Sequence, residues 1–311
     1  MMIHAHHLTK RFGEVTALAD VTLDVPAGTI AGLLGHNGAG KTTLVNILAT
    51  LQPPTSGTAA VAGFDVVRQG RDVRRAIGLT GQFAALDEQL SGLDNLVLIA
   101  RLLGAPRRAA AARAAELIEA FDLAAAAKRP VRTYSGGMKR RLDLAAGIVG
   151  QPRVIFLDEP TTGLDPISRA AVWDIVENLV DDGATVLLTT QYLEEADRLA
   201  HSITVLSDGR VVASGTPDAL KAGVGQRTVH VTLTRPEDAG TALRALERTP
   251  FAVSFDDGKQ ELNIPVGGST DLVRVATALA DSGVELAGLE LTDPTLDDVY
   301  ISLSRKTTAA A

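Results

Sequence analysis

The residues with the clearest chemical potential lie between positions 35 and 43, which read Gly-His-Asn-Gly-Ala-Gly-Lys-Thr-Thr. The run fits the pattern G-x-x-x-x-G-K-[ST], in which glycines bend the backbone so that several N–H groups face one anion. Lys41 is placed to reach the β- and γ-phosphates of a nucleotide, and the hydroxyl of Thr42 is a ligand for Mg²⁺. The competing interpretation is a glycine-rich turn before an ordinary helix. The apolar segment 29–34 before the run and the helical pattern after it favour a nucleoside triphosphate site.

We call this run the phosphate loop. The residues predicted to contact nucleotide there are Gly35, Asn37, Gly38, Ala39, Gly40, Lys41, Thr42 and Thr43.

Two acids follow a second apolar strand pattern, Val154–Leu157. Asp158 stands at the carboxyl end of this strand, where it is placed to hold Mg²⁺ through water beside the phosphates. Glu159 is one residue further on, points differently, and is placed to polarise the attacking water. Acids that merely end a strand in solvent are the alternative. Their position more than a hundred residues after a phosphate loop, in the same α/β pattern, favours the catalytic interpretation.

A second anion cradle is predicted at Ser135–Gly137, at the start of a helical pattern. Ser135 offers a hydroxyl, while Gly136 and Gly137 offer backbone N–H groups at a helix N-terminus. Two cradles in one chain make sense if a second subunit supplies one of them. We expect Arg140 and Arg141, further along this helix, to face solvent.

The order of elements predicts an α/β fold with parallel strands over residues 1–220. A linker is predicted at 221–228, followed by an accessory domain at 229–311. The strand and helix patterns of that domain run β-α-β-β-α-β, which matches a ferredoxin-like module. No convergent polar residues are expected to form a ligand site in it.

Composition narrows the possible functions. The chain has 311 residues, 46% of them hydrophobic, a net charge of −7 and no cysteine. The charge argues against a surface that coats nucleic acid, and the lack of cysteine excludes disulfides and thiolate metal sites. No apolar run approaches the roughly 20 residues that cross a bilayer, and no signal-peptide pattern is present. We expect an intracellular protein that reaches a membrane only through a partner.

Two groups of residues suggest metal sites and are interpreted otherwise. His4, His6 and His7 lie close in sequence, but strand alternation is expected to send His6 and His7 to opposite faces. Asp297 and Asp298 are interpreted as charges at the start of a helix.

In this order, the phosphate loop, the second cradle and the two acids resemble the nucleotide-binding subunit of an ATP-binding cassette (ABC) transporter over residues 3 to about 220. The resemblance implies a P-loop ABC ATPase domain with antiparallel β and helical subdomains. It implies that Phe12 stacks on adenine and that Gln82 contacts Mg²⁺ and a membrane partner. It also implies that the loop Gly163–Pro166, with Asp165, bridges two nucleotide sites.

The chain departs from the usual pattern of that family at three positions. Tyr134 and Met138 flank the second cradle where leucine and glutamine are usual, so the cradle depends on Ser135 and backbone N–H groups. Gln191 occupies the position of a switch histidine. Its amide can donate to a γ-phosphate oxygen but does not ionise near neutral pH.

Residues 189–197, the second cradle and the C-terminal segment 292–300 narrow the resemblance to the daunorubicin-resistance type of ATP-binding subunit. This implies a peripheral ATPase on the cytoplasmic face of the membrane that drives export of a hydrophobic compound through a separate permease. Two copies are expected to enclose ATP and Mg²⁺, with no nucleic acid as partner. One alternative is a soluble ABC ATPase that acts on ribosomes or DNA. Another is a signalling switch in which the C-terminal module senses a small molecule.

Overall fold

The structure, a computed structural model, describes residues 1–80, 86–224, 227–256, 258, 260–300 and 302. The chain divides into two compact units, Met1–Pro217 and Asp218–Ala311. The segment predicted as a linker, 221–228, differs from that expectation. Its first four residues end a helix, Pro217–Val224, and its last two begin a strand, Arg227–Leu233.

The strands of the first unit are β1 (Ile3–Phe12), β2 (Val15–Val25), β3 (Ile30–Leu34), β4 (Ser56–Val61), β5 (Phe64–Asp65), β6 (Ile77–Thr80), β7 (Val154–Asp158), β8 (Thr185–Thr190), β9 (Ser202–Ser207) and β10 (Arg210–Gly215). Its helices are α1 (Lys41–Leu48), α2 (Gly70–Ala76), α3 (Gly92–Leu102), α4 (Arg107–Ala120), α5 (Gly136–Ile148), α6 (Pro166–Asp181) and α7 (Leu193–Leu199); α8 (Pro217–Val224) begins at its last residue. Strand β4 and helix α2 were not predicted from the sequence.

A six-stranded sheet in the order β10-β9-β3-β8-β7-β6 forms the centre of the first unit. All its neighbours except β10 and β9 pair in parallel, as predicted. Every residue of β3 and β8 is buried, because helices cover both faces of the sheet. The carboxyl ends of β3, β8 and β7 are adjacent, so the segments that follow these three strands meet at one edge.

A second sheet, antiparallel and ordered β2-β1-β4-β5, lies in the same unit. The pairing of β1 with β2 shifts register between Ala5 and Leu8, and His7 has a φ of 52°. This irregularity brings the rings of His6 and His7 to a centroid distance of 4.2 Å. The prediction that these rings lie on opposite faces is therefore wrong, because the period of two fails where the strand carries a bulge.

The helices α3, α4 and α5 pack around a core that includes Leu96, Leu117 and Leu142. Three leucines of α3 and its C-terminal end stay exposed: Leu98 at 44%, Leu102 at 77% and Leu103 at 61%. Among the described residues, no helix combines the length and the hydropathy that crossing a bilayer requires.

The second unit contains β11 (Arg227–Leu233), α9 (Ala239–Leu246), β12 (Ser254–Asp256), β13 (Glu261–Val266), α10 (Ser269–Asp281) and β14 (Leu286–Thr292), with residues 296–300 helical. This is the predicted β-α-β-β-α-β order, and the antiparallel sheet runs β12-β13-β11-β14.

One face of that sheet buries residues such as Val229, Val231 and Ile264. A depression of about 650 Å³ on the unit is lined by polar residues that include His230, Glu261 and Glu290, and His230 pairs with Glu261. Polar residues therefore do converge on this unit, contrary to expectation, whereas the expectation that they form no ligand site stays a prediction.

Candidate functional site

The phosphate loop connects β3 to α1 and leaves backbone donors free at the start of the helix. Gly38 and Gly40 have φ values of 87° and 107°, and a side chain at position 40 would lie 2.7 Å from the carbonyl oxygen of Ala17. The first helical bond joins the N–H of Leu44 to the carbonyl of Gly40 at 2.9 Å. The N–H groups of residues 41–43 therefore have no helical acceptor. The loop, Ala17 and Glu159 line a cavity of about 310 Å³.

Lys41 is the cation of this cavity, and its side chain is only 5% exposed. Its Nζ donates to the carbonyls of Gly35 at 2.7 Å and His36 at 3.2 Å, and lies 3.9 Å from Oε1 of Glu159. Burial lowers the pKa of Lys41, while the carboxylates of Glu159 and Asp158 act in the opposite direction. A phosphate near Nζ would compensate the buried charge.

Asp158 ends β7 beside the phosphate loop. Its Oδ1 accepts from Oγ1 of Thr189 at 2.5 Å, and its Oδ2 lies 3.4 Å from Oγ1 of Thr42. A hydroxyl and a carboxylate that converge from two elements are the hard oxygen ligands that Mg²⁺ prefers. The donor set of Thr42 and Asp158 therefore fits this ion. Gln82, the third predicted ligand, lies outside the described residues.

Glu159 follows Asp158 with a φ of 48°, a left-handed backbone that is uncommon for a residue other than glycine. Its N–H donates to both the carbonyl and the Oγ1 of Thr189, each at 3.1 Å. Its Oε2 accepts from Oγ1 of Thr162 at 3.3 Å, and the side chain is 23% exposed. The turn at Glu159 aims one carboxylate oxygen at the ammonium of Lys41 and into the cavity of the phosphate loop.

The second cradle begins α5. Ser135 is the N-cap, and its Oγ accepts from the N–H of Met138 at 3.2 Å. A Cβ on Gly136 would meet nothing within 4 Å, whereas one on Gly137 would lie 2.6 Å from Oγ of Ser168. Ser135, Gly136 and Gly137 do not line the cavity of the phosphate loop.

Tyr134 precedes the second cradle and is 6% exposed. Its hydroxyl donates to the carbonyl of Ala126 at 2.8 Å, and burial raises its pKa. The tyrosine thus fixes the start of the second cradle to the helical part of the unit. Met138 packs on the same core.

The expectation that Arg140 and Arg141 face solvent is wrong. The side chain of Arg140 is 15% exposed, and its Nε donates to the carbonyl of Pro160 at 2.5 Å. The side chain of Arg141 is 21% exposed, and its Nη1 donates to the carbonyl of Phe121 at 3.1 Å. Both guanidiniums bind protein groups, because α5 is covered on more sides than its polar sequence suggests.

The last three predicted site residues are Asp165, Phe12 and Gln191. Asp165 is the N-cap of α6 and accepts from the N–H and Oγ of Ser168 at 3.0 and 2.7 Å; these bonds lower its pKa. Phe12 ends β1 and is 47% exposed, with Nζ of Lys10 at 4.9 Å from its ring centroid. Gln191 is exposed and directly follows β8, at the sheet edge where the segments after β3 and β7 also meet.

Thr189 was not singled out by the sequence, although it contacts both acids. The only signal was its position at the end of an apolar strand.

Comparison with known proteins supplies the family. Residues 18–162 match the protein family described as ABC transporter. The daunorubicin resistance ATP-binding protein DrrA3 of Streptomyces coeruleorubidus is 51% identical over 296 residues, which cover 95% of this chain and 93% of the relative. The chain belongs to the ABC transporter ATP-binding family. As a member of this family, it binds and hydrolyses ATP.

A further relative and a solved structure agree with this assignment. The daunorubicin/doxorubicin resistance ATP-binding protein DrrA of Streptomyces peucetius is 45% identical over 303 residues, which cover 97% of this chain and 92% of the relative. A dimeric ATP-binding cassette in a post-hydrolysis state, bound to ADP and phosphate, superposes with a TM-score of 0.63. It is 26% identical, and the match covers 69% of this chain and 98% of that cassette. The first unit thus has the ABC ATPase fold.

Proposed function

We propose that this ABC ATPase works as a pair of copies that enclose ATP, and that it drives export of a hydrophobic compound through a separate permease. The observation that carries the proposal is that the phosphate loop and the second cradle line different cavities, although Glu159 lines both and Gly136 lines the second. The cavity that holds Lys41 and Glu159 is not lined by Ser135–Gly137 of the same chain. A second cradle at an exposed helix start is then available to a nucleotide bound by another copy.

Each nucleotide is held by the phosphate loop of one copy and by the second cradle of the other. Lys41 and the N–H groups of residues 41–43 bind the phosphates, and Phe12 stacks on adenine. Glu159 accepts a proton from the water that attacks the γ-phosphorus, and the bond to the bridging oxygen breaks to release ADP. Gln191 donates to a γ-phosphate oxygen, and Asp165 bridges the two sites.

Mg²⁺ would be held by Thr42 and Asp158, with Gln82 as a further predicted ligand. When bound, the ion neutralises charge that develops on the phosphate oxygens. The short bond from Thr189 orients the carboxylate of Asp158 for this role.

The test of the proposed site is Glu159→Gln. The variant should bind ATP, lose hydrolysis by at least about 100-fold, and run as a dimer in gel filtration with ATP, because the closed pair cannot reopen. Glu177→Gln, which changes an exposed acid paired with Arg198, is the matched control and should keep wild-type turnover. A Glu159→Gln protein that turns over ATP normally as a monomer would contradict the proposal.

The permease is supported by the exposed leucines of α3, since exposed apolar side chains on one helix end are suited to a partner. Attachment to such a partner would place the protein on the cytoplasmic face of the membrane.

Export of a hydrophobic compound is supported by the relatives, which are named as daunorubicin resistance proteins and match 95–97% of this chain. The same matches do not favour a ribosome- or DNA-associated switch. We assign the second unit a dimer-stabilising or regulatory role.

Leu102→Glu tests the permease contact. In cells that express the membrane partner, the variant should keep its ATPase activity in isolation but lose co-purification with the partner and drug efflux. Leu51→Glu, at a leucine that is 57% exposed and lies after α1, is the control and should keep both. Wild-type drug efflux by Leu102→Glu would show that α3 does not form the contact with the permease.

A further inference from the structure

Arg140 joins the helix of the second cradle to the segment that carries the two acids. Its Nε donates to the carbonyl of Pro160 at 2.5 Å, and its Nη2 donates to the carbonyl of Asp158 at 3.3 Å. Its Nη1 donates to Oδ2 of Asp143, one turn along α5, at 2.9 Å. The guanidinium therefore binds the carbonyls of the residues before and after Glu159 while it stays anchored to its own helix.

The backbone at Glu159 is the reason such a contact matters. A φ of 48° is disfavoured for glutamate and persists only where the surroundings hold it. Thr189 holds the N–H of Glu159 from strand β8. Arg140 holds the carbonyls of Asp158 and Pro160 from helix α5. The direction of the Glu159 carboxylate thus depends on two elements, and one of them carries the second cradle.

Burial and nearby carboxylates also act on the charge of Arg140. Burial lowers its pKa, and the carboxylates of Asp143, Glu195 and Asp158 act in the opposite direction. Glu195 is fully buried: its Oε1 accepts from Thr161 at 2.8 Å, and its Oε2 has no hydrogen-bond partner among the residues that the structure describes. The direct ion pair of Arg140 is with Asp143, at 2.9 Å.

We propose that Arg140 is a positioning residue that holds Glu159 in its left-handed conformation and ties it to the helix of the second cradle. A shift of α5, when Ser135–Gly137 meets the nucleotide of the other copy, is then passed to Glu159 of the same chain. The inference rests on the proposed roles of Glu159 and of the second cradle.

The test compares Arg140→Met with Arg141→Met. Both remove a guanidinium that is mostly buried on the same helix, but Arg141 binds Phe121 and Asp122 and not the acid segment. Arg140→Met should lower kcat by roughly 10- to 100-fold, the size expected when a reacting group is misplaced by about 1 Å, with KM for ATP changed less than about threefold. Arg141→Met should lower kcat less than about threefold. Arg140→Lys, which keeps the charge but offers a single donor centre, should be intermediate.

Three results would overturn the proposal. One is an equal loss of kcat in Arg140→Met and Arg141→Met, which would show a general effect on α5. Another is a rise in KM with kcat unchanged. The third result applies if Arg140→Met does not fold. An Arg140→Lys protein that melts normally and keeps wild-type kcat would then overturn the proposal.

A double-mutant cycle separates this inference from the proposed function. If Arg140 acts through Glu159, adding Arg140→Met to Glu159→Gln should lower the residual turnover little further. A fully multiplicative loss would contradict the positioning role. Normal turnover in Glu159→Gln alone would instead refute the proposed role of Glu159.

Discussion

The phosphate loop and the second cradle are both glycine-containing starts of helices, yet they differ in what they leave free. In the phosphate loop the N-cap is Gly40, which offers no side-chain bond, and Lys41 is buried within the cavity. In the second cradle Ser135 caps its own helix, and the nearby cation, Lys139, pairs with Glu88 at 2.5 Å. The first is equipped to bind phosphate unaided. In the second cradle, the hydroxyl oxygen of Ser135 already accepts a hydrogen bond from the N–H of Met138 in its own helix.

The difference supports the proposal that each nucleotide is bound by both kinds of cradle. A cradle with an exposed Gly136 is suited to a contact that forms and breaks in each cycle, whereas the buried cation of the phosphate loop is suited to a lasting contact with phosphate. In the proposed function, one copy completes the phosphate loop, whereas the second cradle is complete only in a pair of copies.

Removal of the cation from each cradle should have very different results. Lys41→Ala should lower ATPase activity by at least about 100-fold if the buried ammonium binds the phosphates directly, as proposed. Lys139→Ala, the same change beside the second cradle, should stay within about threefold, because its side chain is 38% exposed and bound to Glu88. Steady-state ATPase assays and nucleotide-binding titrations measure both. Similar losses of ATPase activity in the two variants would show that the two cradles do not differ in this way.

The glycines of the second cradle offer a test of moderate size. Gly136→Ala meets no atom within 4 Å, so melting should be unchanged or slightly higher, as alanine favours helix. Its ATPase activity should still fall by about 10-fold if the methyl group blocks the nucleotide of the other copy. Gly137→Ala should instead cost about 1–3 kcal/mol of stability, because its methyl group meets Ser168. Wild-type turnover in Gly136→Ala would show that this cradle does not contact nucleotide.

Much of this arrangement was predictable from the sequence. The phosphate loop and the two acids follow apolar strands, and the parallel sheet brings the ends of β3, β7 and β8 together as the pattern predicts. The roles of individual site residues stay predictions.

Other features were not predictable, for physical reasons that differ. The burial of Arg140 depends on which helix side the rest of the fold covers, and a polar run such as Lys139–Arg141 does not reveal this. The bulge that brings the rings of His6 and His7 together interrupts the alternation of side chains between the two strand faces, on which strand prediction depends. Strand β4 was missed because its small residues, Ser-Gly-Thr-Ala-Ala, give a weak strand pattern.

Gln191 provides the finest test of the phosphate-loop site. An amide does not titrate, so ATPase activity should show no acidic limb assignable to this position. Gln191→His should create one near pH 6.5, the ordinary pKa of histidine, with activity changed only a few-fold elsewhere. Gln151→His, at an exposed residue between α5 and β7, is the control and should leave the pH profile unchanged. If Gln191→His also leaves activity and its pH profile unchanged, the residue after β8 does not act on the γ-phosphate. Of the two side chains proposed to donate to the γ-phosphate, only Lys41 would then remain, and the contrast between the two cradles would become sharper.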